Sequence, residues 1–206
     1  MTPTGIDLEI ARNRLRGIAE EMGIVLRRTA CSPNIQERAD CSAAVFTASG
    51  DMLAQAEHIP VHLGSMSESI KSIVAANPEM APGQVFVMNA PYAGGTHLPD
   101  VTAVTPVFTG ADQPTFFVAS RGHHADLGGT APGSMPADST RLEEEGVVLE
   151  PFRPVRRGRF DEERLRRELT GARYPARVPD DNVAELEAMV AANQAGLGLL
   201  RELVDE

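Results

Sequence analysis

Apolar residues recur at spacings near three and four from Ile6 and Ile10 through Leu15, Ile18, Met22, Val25 and Leu26, which predicts an amphipathic helix over residues 6–29. Thr4, with Asp7 three residues on, has the form of a capping box that uses Asp in place of the usual Glu. The helix is expected to stop before Ser32-Pro33, because a residue preceding proline avoids the α region. Two short apolar runs joined by Ala48-Ser49-Gly50-Asp51 then predict a hairpin with strands over 43–47 and 51–55. Met66, Ile70, Ile73 and Val74 share one stripe and predict a helix over 65–76, closed by Asn77-Pro78. Further strands are expected over 84–88, 102–108 and 114–121, the last two linked by the turn-rich Thr109-Gly110-Ala111-Asp112. GVVLEPFRPV reads as one more strand, residues 161–170 as a charged helix, and the stripe from Val183 to Leu203 as a final helix over 181–203.

These elements predict an α+β fold: a mixed or mostly antiparallel sheet with the long N-terminal and C-terminal helices packed on it. Short connections motivate this, since antiparallel neighbours permit tight turns and parallel ones need long crossovers. The stripe of the last helix runs to within three residues of the end of the sequence, so it is expected either to pack back on the domain or to continue into further structure. Residues 129–140, GTAPGSMPADST, are too rich in Gly, Pro and Ser for a regular element and predict a loop.

Composition narrows the function. A chain of 206 residues, 42% hydrophobic and 23% charged, suits one folded domain. The formal charge of −10 argues against a nucleic-acid role. The arginine-rich run 153–167 is diluted by Asp161, Glu162 and Glu163 and reads as a salt-bridged face. There is no apolar run of bilayer length and no secretory signal pattern, so no membrane role is expected and the expected address is cytoplasmic. Neither a GxxxxGK[ST] phosphate loop nor a GxSxG nucleophile elbow is present. Cys31 and Cys41 do not make a disulfide scaffold, and Cys41 reads better as a small buried strand residue than as a catalytic thiol.

All five histidines lie between residues 58 and 124. GGTHLPD holds His97 three residues before Asp100, in a loop by virtue of Pro99 and Gly94-Gly95. RGHHADLGG follows an apolar strand, and in extended geometry His124 and Asp126 face one way and His123 the other. His97, Asp100, His124 and Asp126 therefore form a mixed nitrogen/oxygen set suited to a divalent ion such as manganese, zinc or iron, with His123 as proton carrier. Structural histidines in a polar core fit the same spacing equally well. His58 and His62 flank Ile59-Pro60, which argues against a helix there and leaves them as substrate contacts or core hydrogen-bonders.

The segments RTACSPNIQERADCS, AQAEHIPVHLGSM, PGQVFVMNAPYAGGTHLPDVTAVTPVF, FFVASRGHHADLGG, PGSMP and Glu144-Glu145-Gly146 run in order along nearly the whole chain. Together they resemble the hydantoinase B/oxoprolinase family. The resemblance implies ATP-dependent hydrolysis of a cyclic amide of the 5-oxoproline or hydantoin type. An A-type partner subunit, with an actin/hexokinase-like fold, would bind ATP and phosphorylate the substrate oxygen. The B-type part would carry the activated intermediate onward, by hydrolysis or, in an acetone-carboxylase-like subunit, by carboxylation. A divalent metal held by His97, Asp100 and one of the His123-His124 pair, taken here as His124, is also implied. The accompanying candidates are Asp40, His123 and Asp126 for catalysis, and His58, His62, Asn89, Tyr92 and Arg121 for substrate contact. The sequence departs from the family in reading Asn89-Ala90-Pro91-Tyr92 where a carboxylate is usual at Ala90, and in its length. Residues 1–206 are accordingly expected to be the N-terminal portion of a B-type domain, whose C-terminal portion would be a further partner; a remnant without turnover is the alternative.

Overall fold

The structure, a computed structural model, describes residues 4–56 and 59–205. Helix α1 spans Gly5–Thr29 and begins with the expected capping box: Thr4 Oγ1 accepts from the Asp7 amide at 3.3 Å, and Asp7 Oδ2 accepts from the Thr4 amide at 2.8 Å. The short helix α2, Pro33–Gln36, leads into strands β1 (Cys41–Thr47) and β2 (Met52–Gln55). Helix α3, Pro60–Ala76, precedes strands β3 (Val85–Met88), β4 (Asp100–Val107) and β5 (Phe116–His123). A one-turn helix α4 (Leu142–Glu145), strands β6 (Phe152–Arg156) and β7 (Arg159–Phe160), and helices α5 (Glu162–Thr170) and α6 (Pro179–Asp205) complete the chain.

The strands form a single seven-stranded sheet in the order β2-β1-β5-β4-β3-β6-β7, antiparallel at every join. The expected α+β architecture is thus present, with the sheet wholly antiparallel. Strand alternation sorts the core into two layers. Ala44, Phe46, Phe86, Met88, Val104, Phe117 and Ala119 pack against Leu63, Met66, Ile70 and Ile73 of α3. Cys41, Val85, Val87, Val101 and Ala103 pack on the other face with Leu186, Met189 and Ala192 of α6 and Leu165 and Leu169 of α5, while Ala43, Val45 and Val118 meet Ile18 and Met22 of α1 and Leu200 of α6. Each fully buried Phe or Met in these layers contributes about 1.5–3 kcal/mol of transfer free energy. Cys41 is a buried free thiol on β1, as a strand residue should be.

Helix α3 starts a full turn earlier than the sequence pattern suggests. The helix expected from residue 65 begins at Pro60, so His62 is helical. Proline is tolerated there because the first turn of a helix has no intrahelical partner for its amide. No helix among the described residues is long and apolar enough to cross a membrane.

Candidate functional site

Five segments bring the candidate chemistry to one end of the sheet, on the α3 face. Asp100 opens β4 and His123 closes β5, and the two are direct cross-strand partners. Asp40 immediately precedes β1, and its carbonyl accepts from the His123 amide at 3.0 Å. His62 projects from the first turn of α3, and His97 comes from the loop between β3 and β4. That loop is pinned by a turn in which the Asp100 amide donates to the His97 carbonyl at 3.0 Å.

Asp100 is the hub. Its Oδ2 lies 3.3 Å from His62 Nε2 and 3.1 Å from His97 Nδ1, and its Oδ1 lies 3.3 Å from His123 Nδ1. Thr96 Oγ1 donates to Oδ2 at 2.5 Å. Asp40 sits across from it, with Oδ1 3.5 Å from His62 Nε2 and Oδ2 3.6 Å from His123 Nδ1. His62 is oriented through its other nitrogen, Nδ1, which meets Ser42 Oγ at 3.2 Å. The His97 and His123 rings are 4.9 Å apart, centroid to centroid. Asp100 and His62 are buried, whereas the side chains of His97, Asp40 and His123 are 37%, 29% and 17% exposed, so the cluster opens to solvent on their side.

The electrostatics follow from this convergence. Burial by itself raises the Asp100 carboxyl, but the His123, His62 and His97 rings around it outweigh burial and hold it far below the usual carboxylate range. His97 is raised above an ordinary imidazole, chiefly by the Asp100 carboxylate beside it. Asp100 Oδ1 is buried yet has no partner in hydrogen-bond geometry among the described residues, although His123 Nδ1 is only 3.3 Å away. Donors that converge on a carboxylate without aligning to it suit a shared cation better than a set of hydrogen bonds. Ligand atoms of His97, Asp100 and His123 all lie within 4.8 Å of one another, and a two-nitrogen, one-carboxylate set matches manganese, zinc or iron.

The structure redistributes the sequence candidates. His123, not His124, joins His97 and Asp100, because cross-strand partners project to the same face of a sheet. His124 is 2% exposed on the α6 side, where its Nδ1 meets Asn182 Nδ2 at 3.1 Å. Burial pushes its pKa down to about 3. Asp126 also leaves the cluster: its carboxylate accepts from the amides of Gly128 (2.8 Å) and Gly133 (2.9 Å) and from Arg177 Nη1 (2.8 Å), which makes it an anchor for the 126–134 loop.

Two of the proposed substrate contacts are already fully engaged. Asn89 is buried, with Nδ2 donating to the Leu98 and Val147 carbonyls and Oδ1 accepting from the Leu149 amide. Arg121 is likewise buried beneath the site, with each of its three guanidinium nitrogens donating to a protein acceptor. Tyr92 is 94% exposed on a one-turn 3₁₀ helix, Pro91–Ala93. His58 lies outside the described residues. Ser42 and Thr96 were missed in the sequence; a hydroxyl four residues before Asp100 and one two residues after Asp40 are visible signals only once the pairing of β1, β4 and β5 is known. Ala90, where the resembling family carries a carboxylate, is 3% exposed and packs in the α3-side core.

Comparison with known proteins finds relatives of the chain. The profile described as Hydantoinase B/oxoprolinase matches residues 4–206. The 5-oxoprolinase 1 of Arabidopsis thaliana is 44% identical over 210 residues, covering 98% of this chain and 16% of that protein. The caprolactamase subunit beta of Pseudomonas jessenii is 30% identical over 201 residues, 97% of this chain and 34% of that subunit. The crystal structure of the ATP-dependent caprolactamase from the same organism superposes with a TM-score of 0.87 at 29% identity, over 100% of this chain and 35% of that one. A nucleotide-free acetone carboxylase shares the fold, with a TM-score of 0.83 at 21% identity over 96% of this chain and 26% of that one. The chain therefore spans well under two thirds of the relatives it matches.

Proposed function

The chain belongs to the hydantoinase B/oxoprolinase family, and from that premise we propose that it forms the part of a B-type polypeptide that carries the hydrolytic centre for a phosphate-activated cyclic amide. The substrate class is of the 5-oxoproline type, since the 5-oxoprolinase relative is the more similar at 44% identity against 30% for the caprolactamase subunit. The observation that carries the reading is the convergence of His62, His97 and His123 on Asp100, with Asp40 facing His62 and His123 across from it.

His97, Asp100 and His123 would hold a divalent ion. When bound, such an ion lowers the pKa of an attacking water and polarises the carbonyl. Around it, the chain's own groups have separable tasks. Asp40, the more exposed carboxylate, takes the proton of the attacking water at Oδ2. His62, fixed by Ser42, keeps Asp40 and Asp100 at a set separation and passes a proton at Nε2. One water adds to the activated carbonyl carbon, and the ring C–N bond opens as nitrogen is protonated, leaving an acyl phosphate; a second water then adds to that acyl carbon and phosphate leaves, giving the carboxylate. Amide resonance makes an unactivated lactam a poor electrophile, so the phosphoryl donor would be an A-type partner that binds ATP; further B-type sequence would complete the assembly.

The deciding experiment measures metal content and ATP-dependent 5-oxoproline hydrolysis for the wild-type protein and His97→Ala, each combined with an A-type partner and the further B-type sequence. The expected result is about one manganese, zinc or iron per chain, lost together with turnover in His97→Ala, whose loop position removes little packing. Full activity in a metal-free His97→Ala protein would overturn the reading.

A further inference from the structure

We infer that Arg121 and Ser69 form a positioning device that sets the segments bearing His62, His97 and His123 against one another, an inference that rests on the proposed role of that cluster as the reactive centre. Arg121 lies on β5 two residues before His123, so both side chains leave the same face of the sheet. It is completely buried, and its guanidinium points three ways at once. Nε donates to Thr102 Oγ1 on β4 at 2.7 Å, two residues beyond Asp100. Nη1 donates to the His62 carbonyl at 3.2 Å and to Ser65 Oγ, both in the first turns of α3. Nη2 donates to Ser69 Oγ at 2.8 Å.

Ser69 then relays the contact outward. Having accepted from Arg121, its hydroxyl donates to the Gly94 carbonyl at 2.6 Å, in the loop that delivers His97 three residues later. The loop lies so close to α3 that a Cβ on Gly94 would stand 2.5 Å from the Glu68 carbonyl carbon and 2.6 Å from the Ser69 amide. One guanidinium thus ties β5, β4, α3 and, through one hydroxyl, the 94–97 loop. Each of these segments supplies one member of the cluster: His123, Asp100, His62 and His97.

The choice of residue supports positioning over simple packing. No carboxylate forms an ion pair with Arg121 among the described residues; every acceptor is a hydroxyl or a carbonyl. Burying a charge on neutral acceptors is expensive, and an apolar side chain would fill the space with less penalty. A lysine would supply the charge at one point but not the rigid fork that three diverging acceptors require.

The test uses Ser69→Ala and Arg121→Lys, with cobalt(II) as the metal probe. Hydrogen exchange is read at the amides of Ala93, Gly95 and Asp100, which are bonded within the loop. In Ser69→Ala, cooperative unfolding and far-UV dichroism are expected to be retained, and exchange at those three amides to rise at least about tenfold while the β1–β5 amides stay unchanged. Cobalt affinity is expected to fall about 10–100-fold with an altered visible band, the usual consequence of losing support behind metal ligands. Arg121→Lys should do the same despite keeping the charge, and should it fail to fold, Ser69→Ala alone decides. Wild-type exchange in the loop, or an equal rise across the whole sheet, would overturn the inference. If the unvaried protein takes up no cobalt, the metal reading fails by itself, and the exchange pattern still decides whether Arg121 and Ser69 position the loop.

Discussion

His123 and His124 are adjacent in sequence yet serve opposite sides of the sheet. His123 Nδ1 approaches Asp100 Oδ1 at 3.3 Å on the α3 face, while His124 Nδ1 meets Asn182 Nδ2 at 3.1 Å on the α6 side. The pairing of Asp100 with His123 across β4 and β5 fixes which of the two reaches the cluster.

Replacing each histidine in turn should therefore separate metal uptake from folding. His123→Ala is expected to abolish stoichiometric metal binding with little change in the unfolding midpoint, since its side chain is partly open to solvent. His124→Gln is expected to retain the metal and to lose stability instead. Atomic absorption on dialysed protein, beside urea unfolding, checks both; metal retained by His123→Ala and lost by His124→Gln would reverse the assignment.

Two glycines with similar backbones should respond very differently to alanine. Gly94 and Gly110 have φ of 93° and 89°, a region that disfavours any Cβ by about 1–2 kcal/mol. At Gly110 an added Cβ meets nothing within 4 Å, so Gly110→Ala should cost only that amount. At Gly94 the same atom would strike α3 backbone at 2.5 Å, so Gly94→Ala should cost more than about 3 kcal/mol or displace the loop and His97 with it. Denaturant midpoints for the pair give the comparison.

Much of the fold was legible because its periodicities are local. The capping box at Thr4 and Asp7, the stripe of α1, and the turn-joined strands each carry their signal within a few residues. The site was legible as a set of residue types but not as a set of contacts. Helices cover both faces of the sheet, so β4 is buried along its full length, and its polar residues fall in both phases, Asp100 and Thr102 in one and Thr105 in the other, so no consistent alternation reveals which way Asp100 points. Without that face, the choice between His123 and His124 was undetermined. The same blindness made Arg121 and Asn89 resemble substrate contacts, although their partners are backbone and hydroxyl groups brought together by pairing.

The 126–134 loop should depend on Arg177 rather than on the metal cluster. Arg177 donates to Asp126 Oδ2 at 2.8 Å and to the Gly128 and Gly129 carbonyls at 3.1 and 2.7 Å. Arg177→Ala removes these charge-assisted bonds, and a loss of about 1–3 kcal/mol is expected. Protease nicking between residues 130 and 140 should accelerate, with metal content unchanged. An unaltered nicking rate, or metal lost along with the loop, would count against this division.

The buried His124 should make stability fall on mild acidification. Burial lowers its folded pKa from about 6.5 to about 3, so above pH 6.5 it is neutral in both states and contributes no pH dependence. As pH drops below 6.5 the unfolded chain binds a proton that the folded chain refuses, and stability declines by about 1.4 kcal/mol per pH unit until the folded form also titrates near pH 3. His97 works in the opposite sense, because its raised pKa contributes stability at low pH that is lost as pH rises. Comparing wild type with His124→Gln cancels that shared term. Between pH 7 and pH 5 the wild type should lose about 2 kcal/mol more than His124→Gln in urea unfolding. The variant is less stable at neutral pH but closes the gap in acid, since glutamine has no proton to gain. A gap that stays constant across this range would mean that His124 titrates normally, and so that water reaches it behind the sheet.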